Sequence, residues 1–183
     1  MLKEPSLPMW VFGYGSLMWN PEFPVAERCL ATLPGYARRF CMSSIHHRGT
    51  VEDPGLVLAL DPDDAHVCRG IAFRVPDAEA DATLTALRER ELISSAYVER
   101  HVPLDLDDGR RVDAVAYIVD TAHEQYRASL SLEDQANIIA HAHGGRGPNS
   151  EYLWNTSSHL DELGIEDADL QWLSNRVKSI LNA

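Results

Sequence analysis

No apolar run in this sequence is long enough to cross a bilayer. The first apolar stretch, residues 9–12, is stopped by Gly13, so neither a secretory leader nor a membrane anchor is expected. Basic residues are scarce: 16 Lys and Arg stand against 28 Asp and Glu, for a formal charge of -12. Nucleic acid is therefore not an expected partner, because phosphate binding needs a basic surface. Cysteine is sparse as well. Cys29, Cys41 and Cys68 show no C-x-x-C spacing, and an odd count suits reduced thiols and a cytoplasmic location better than a disulfide framework. The sequence has no G-x-S-x-G nucleophile elbow around Ser16 and no G-K-[ST] phosphate-loop ending. It has no repeat and no linker, and 183 residues suit one domain, with an ordered core expected over about 10–181.

The chain does contain a strand that runs straight into glycines: Trp10-Val11-Phe12-Gly13-Tyr14-Gly15-Ser16-Leu17. Two glycines around a tyrosine let the main chain bend and turn several N–H groups outward, which suits a carboxylate or a developing oxyanion. The simpler reading is a strand ending in a glycine turn. Pro21 and Pro24 force an irregular connection. Strands are expected over 38–43, 55–60 and 67–75, with a turn at Asp61-Pro62-Asp63-Asp64 between the last two. A hairpin is expected over 97–106 and 110–119, turning through Asp107-Asp108-Gly109. Helices are expected over 77–92, from a capping box at Ser131 to Gly144-Gly145, over 151–163 with Gly164 as its stop, and along the stripe Leu170, Leu173, Val177, Leu181. The fold class is α+β, a small mixed β-barrel or sheet with peripheral helices.

The helix at 77–92 carries an acid on its apolar stripe. Ala80, Leu84 and Leu87 define that stripe, and at about 100° per residue Glu91 projects between Leu84 and Leu87. Glu89 points roughly 160° away from Leu87 and should be solvated. Glu91 is then either an exposed acid on a fraying last turn or a buried functional group. If buried, its pKa rises toward neutrality, as a general base requires.

Glycine turn, Arg38-Arg39-Phe40, His47-Arg48-Gly49, Arg90-Glu91 and Glu151-Tyr152-Leu153 together resemble the ChaC-type gamma-glutamylcyclotransferases, from about Trp10 to the last helix. The resemblance implies a gamma-glutamylcyclotransferase-like barrel and a lyase that acts on glutathione, releasing 5-oxoproline and cysteinylglycine. It implies that Val11, Phe12, Gly13, Tyr14, Gly15, Ser16 and Leu17 bind the gamma-glutamyl group and that Glu91 accepts the proton. The family spacing to Tyr97 favours Glu91 over Glu89.

Arg39, Arg48, Tyr97 and Tyr152 complete the expected substrate contacts. Adjacent strand residues face opposite sides, so one of Arg38 and Arg39 is expected on substrate and the other in solvent. No cofactor is implied. His46-His47 and His141-x-His143 are the only histidine clusters, and neither has a partner at ligand spacing, so no metal is expected. The partner is a small molecule, and the oligomeric state is left open. Rival readings are a cyclotransferase of the same fold acting on other gamma-glutamyl amino acids or amines, a non-catalytic binding module, and a metal-dependent hydrolase. If the helical phase is right, Glu91→Gln leaves a folded protein with glutathione turnover near background, whereas Glu89→Gln is nearly silent. A comparable loss at Glu89 would show the phase to be wrong.

Overall fold

A computed structural model describes the chain from residue 7 to residue 183. Strands β1 (Trp10–Gly13), β2 (Glu27–Ser44), β3 (Gly55–Arg74), β4 (Tyr97–Leu106) and β5 (Arg111–Val119) close into a barrel in the order β1-β3-β2-β4-β5. Helices α1 (Ala80–Glu91), α2 (Leu132–His141), α3 (Asn149–Glu162) and α4 (Ala168–Leu181) accompany it, with a two-residue ladder of β6 (His143–Gly144) and β7 (Gly147–Pro148). The class is α+β and the barrel is mixed. β1 lies antiparallel to β3, pairing Trp10 with Arg74 and Gly13 with Ile71, and parallel to β5, pairing Val11 with Val115. All four β1 residues are buried, as β-branched and aromatic residues on a central strand require.

The chain forms two compact units. The first contains the residues up to Ala37 with Pro62–Ile118, and the second Arg38–Asp61 with Val119–Ala183. Each long strand, β2 and β3, divides between them. The first unit is cored by Val11, Leu17, Val75, Leu87, Val115 and Tyr117. In the second, α2 packs against α3 and α4, and Ile139, Leu153, Leu160, Leu170, Leu173 and Val177 are buried. Ser131 caps α2 by accepting from Asp134 N at 3.0 Å, and Asp167 caps α4 by accepting from Leu170 N at 3.1 Å.

Several expectations need correction. The turn at 61–64 is absent, and the two strands expected around it are one 20-residue strand, β3. Asp61 is buried instead of exposed, because its carboxylate accepts from Arg39 Nη1 at 3.2 Å and from the Tyr126 hydroxyl at 2.8 Å. β2 begins at Glu27, eleven residues before the expected start at Arg38. α2 stops at His141, so His143 lies outside the helix and Gly144-Gly145 does not end it. Those glycines lie instead against the chain at 46–48. Gly145 and Arg146 donate to the carbonyls of His46 and His47, and a Cβ on Gly144 would meet Arg48 N at 2.6 Å. The stripe on α4 ends at Val177, since Leu181 is exposed. Neither Arg38 nor Arg39 is simply solvated: Arg38 is buried and donates to Asp167 at 3.1 Å.

Asn149, fully buried, replaces a missing strand at the head of β3: its Oδ1 accepts from Leu56 N and its Nδ2 donates to Leu56 O, both at 2.8 Å. Asn149→Ala strips both buried backbone groups of their partner and should cost about 2–4 kcal/mol, read by urea unfolding. An unchanged midpoint would show that water replaces the amide.

Candidate active site

β1 delivers the chain into the glycine turn, and a short 3-10 helix, Ser16–Met18, follows at once. Met18 N donates to Gly15 O at 2.9 Å and Asn20 N to Ser16 O at 2.8 Å. Main-chain N–H groups that open a turn of this kind suit an anion. Gly13 is required by packing: a Cβ there would lie 3.1 Å from Phe73 Cε2 and 3.3 Å from both Leu17 Cβ and Met18 N. At Gly15 a Cβ would meet nothing within 4 Å, so this face of the turn is open.

Glu91 closes α1. Thr83 and Leu87, four residues apart, are buried on its inner face, Ala80 and Leu84 are half-buried, and Glu89 is exposed. Glu91 falls in phase with Leu87, as its spacing requires, and its side chain is 20% exposed. Burial pushes its pKa up from the ordinary 4.5, while the charge of Arg90 pulls it down; burial is the larger influence.

Arg90 ties this acid to the turn. Its Nη2 donates to Ser16 Oγ at 2.9 Å, and its Nη1 donates to Asn20 O and Glu22 Oε2, both at 3.1 Å. Its Nε lies 3.4 Å from Glu91 Oε1, too long for a strong hydrogen bond. The guanidinium thus spends its best donors on the segment 16–22 and leaves the neighbouring carboxyl largely unpaired by geometry.

Sequence reasoning missed a second cluster in the same unit. Tyr117 donates to Glu99 Oε1 at 3.0 Å, and Arg88 holds both oxygens of Glu99 at 3.0 and 2.9 Å. Glu99 stands two residues after Tyr97 on β4, and Tyr117 two after Val115 on β5, so the signal was the period-2 alternation of the hairpin. Tyr97 itself packs against the core cluster that contains Leu87 and Tyr117.

Arg39, Arg48 and Tyr152 belong to the second unit. Arg48 lies 5.7 Å from the centroid of the Tyr152 ring, donates to Pro148 O at 3.1 Å and stands 3.9 Å from Glu151. Tyr152 packs edge-on against Phe40. Arg39 is engaged by Asp61. Burial pushes the Cys41 thiol up to about 12, which makes it a poor nucleophile. Among the described residues, no group of three or more His, Cys, Asp or Glu is arranged to hold a metal ion, and no helix is long and apolar enough to cross a membrane.

The closed mixed barrel with its accompanying helices is a gamma-glutamylcyclotransferase fold. A crystal structure of a gamma-glutamyl cyclotransferase specific to glutathione from yeast superposes with a TM-score of 0.83 at 26% identity, covering 94% of this chain and 96% of that one. The profile of the ChaC-like protein family matches residues 9–180, and the chain belongs to that family. A glutathione-specific gamma-glutamylcyclotransferase of Escherichia coli (strain K12) is 40% identical over 174 residues, 95% of this chain and 74% of that protein. Gamma-glutamylcyclotransferase 2-3 of Arabidopsis thaliana is 34% identical over 182 residues, 96% of this chain and 92% of that protein.

Because Arg90 lowers the Glu91 pKa and anchors 16–22, Arg90→Met should do two things. It should raise the carboxyl titration midpoint of Glu91, read by carbon NMR, and speed hydrogen exchange in the turn. A midpoint that stays put or falls would mean that Arg90 does not act on this carboxyl.

Proposed function

We propose that this chain is a glutathione-degrading gamma-glutamylcyclotransferase, a cytoplasmic lyase that needs no nucleophile of its own. The observation that carries the reading is Glu91, desolvated on α1 and joined through Arg90 to the Ser16 turn, in a chain whose relatives carry that activity in their names.

The reaction is an internal aminolysis. Glutathione binds with its α-ammonium toward Glu91, which takes one proton. The freed amine nitrogen attacks the γ-carbonyl carbon, and that oxygen becomes an oxyanion. The bond from this carbon to the cysteine nitrogen then breaks as Glu91 returns its proton to the leaving nitrogen, and the attacking nitrogen sheds a second proton through the freed Glu91 carboxylate to the departing amine. The products are 5-oxoproline and cysteinylglycine. Main-chain N–H groups of Gly13, Tyr14, Gly15 and Ser16 hold the α-carboxylate or the oxyanion, and Val11, Phe12 and Leu17 fix the strand and turn beneath them. Orientation of amine over carbonyl supplies several kcal/mol of the barrier. Proton transfer through a group tuned toward neutrality contributes roughly 10²–10⁴-fold.

Tyr97 is assigned to the gamma-glutamyl side, supported by its packing with the cluster under Glu91. Arg39, Arg48 and Tyr152 keep the substrate-binding roles that the family pattern gives them. The guanidinium of Arg48 set over the Tyr152 ring supports the last two as a carboxylate receiver.

Purified protein mixed with glutathione should yield 5-oxoproline and cysteinylglycine in equal amounts by mass spectrometry, and gamma-glutamyl-alanine should be a poor substrate. Intact glutathione would overturn the reading; equal use of both would widen the specificity. The base works ionised and its pKa is raised. The acid limb of kcat/KM should therefore fall away at a pH above 4.5, the ordinary glutamate value. A limb at or below that value would remove Glu91 as the base.

A further inference from the structure

The parallel pairing of β1 and β5 sets Val11 beside Val115. Two residues further along each strand stand Gly13, where the turn begins, and Tyr117. Tyr117 is 2% exposed as a whole residue and packs with Val11, Leu17 and Leu87, and its hydroxyl is the one polar group of its side chain.

That hydroxyl is oriented by two further side chains. Arg88, one turn before Glu91 on α1, grips both oxygens of Glu99, and this charge-assisted pair holds Glu99 below the usual carboxylate range. An ionised carboxylate only accepts, so the Tyr117 proton is committed to Glu99 at 3.0 Å. The remaining lone pairs of the Tyr117 oxygen are acceptors. Leu87, one turn before Glu91 on α1, packs in the same cluster as Tyr117, and the negative charges of Glu99 and Glu91 act on the hydroxyl against the positive charge of Arg88. A neutral oxygen with its own hydrogen turned away, beside a carboxylate, is a receiver for a cation that brings several N–H donors.

We propose that Tyr117 receives the α-ammonium of the gamma-glutamyl substrate alongside Glu91, and that Arg88 and Glu99 are positioning residues that keep its hydroxyl in the accepting orientation. This deepens the cyclotransferase reading and rests on Glu91 as the base. Of the three ammonium N–H groups, one goes to Glu91 and is given up, one goes to Tyr117 and is kept in the lactam, and the third leaves through Glu91 as the lactam forms. The retained bond holds the amine in place after deprotonation, with its new lone pair free for the γ-carbonyl carbon. Tyr117 gains and loses no proton. The arrangement makes the free α-amine a requirement of binding as well as of chemistry.

The test compares glutathione with glutaryl-cysteinylglycine, which lacks the α-amine and cannot cyclise, as a competitive inhibitor. Tyr117→Phe keeps the buried ring. It should lower kcat/KM for glutathione by about ten- to a hundredfold, as expected for loss of a hydrogen bond to a charged group, and leave the Ki of the analogue unchanged. Glu99→Gln should act in the same direction, and the double variant should be no worse than Tyr117→Phe alone. Equal weakening of both ligands would reduce Tyr117 to packing, no change in either would remove it from the site, and multiplying losses in the double variant would uncouple Glu99 from it; each overturns the proposal. Glu91→Gln serves as the separate control. If it turns over glutathione like the parent, the base reading itself fails. If it is inert while Tyr117→Phe behaves as the parent, only this inference fails.

Discussion

Burial holds the Glu91 carboxyl against the pull of the guanidinium next to it in sequence, and the chemistry assigned to this chain depends on that contest. A full Arg90–Glu91 pair would lower the carboxyl below the range of a useful base. The structure avoids this by spending the Arg90 donors on Ser16, Asn20 and Glu22 and leaving Nε 3.4 Å from Glu91. One side chain thereby fixes the glycine turn beside the end of α1 without quenching its neighbour. The arrangement has a cost. A carboxyl whose folded pKa exceeds its unfolded value favours the folded state only while protonated. That contribution is full below the unfolded value and is lost as pH rises through the folded one. At neutral pH an ionised Glu91 therefore works against stability, the usual balance at a site tuned for proton transfer.

The overall charge of -12 opposes an acidic substrate at long range. Recognition has to be local. In the first unit, Arg88 and Arg90 are committed to Glu99 and to the segment 16–22, and the reading proposed above gives anion binding there to main-chain N–H groups of the turn. Such groups carry no net charge to neutralise and lose no side-chain entropy on binding. In the second unit, His47 in the chain at 46–48 is held below its ordinary pKa by burial and then by the charges of Arg146, His46 and Arg48. A neutral His47 at physiological pH leaves Arg48 as the reliable positive group of that loop.

How far the sequence was legible follows from the range of each interaction. Strand β1, the hairpin of β4 and β5, the cap at Ser131 and the phase of Glu91 on α1 all rest on periodicity or contacts a few residues apart, and these were readable. The continuous strand through Pro62 was not. Its cause is the burial of Asp61 by Arg39 and Tyr126, 22 and 65 residues away, which overrides strong turn chemistry. Gly144-Gly145 misled for a similar reason, because their smallness answers to the backbone at 46–48 and not to a helix end. For Tyr117 and Glu99 the period-2 alternation of the hairpin gives only the face each takes; their meeting with Arg88 joins three different elements and is not local in sequence.

Two glutamates in the first unit show how the fold makes different tools from one side chain. Glu91 has one cation beside it at poor hydrogen-bonding distance and is otherwise shielded from water, so its proton is held. Glu99 has two short bonds from Arg88 and one from Tyr117, so its charge is held. Carboxyls pushed in opposite directions are the usual sign of divided labour in a site that moves protons. Here the division follows from helical geometry. Arg88 faces outward from α1 toward β4, Arg90 reaches for the turn at Ser16, and Glu91 shares the inner face with Leu87. The order Arg-Glu-Arg-Glu at 88–91 thus places one cation on each flank of the acid and neither squarely on it.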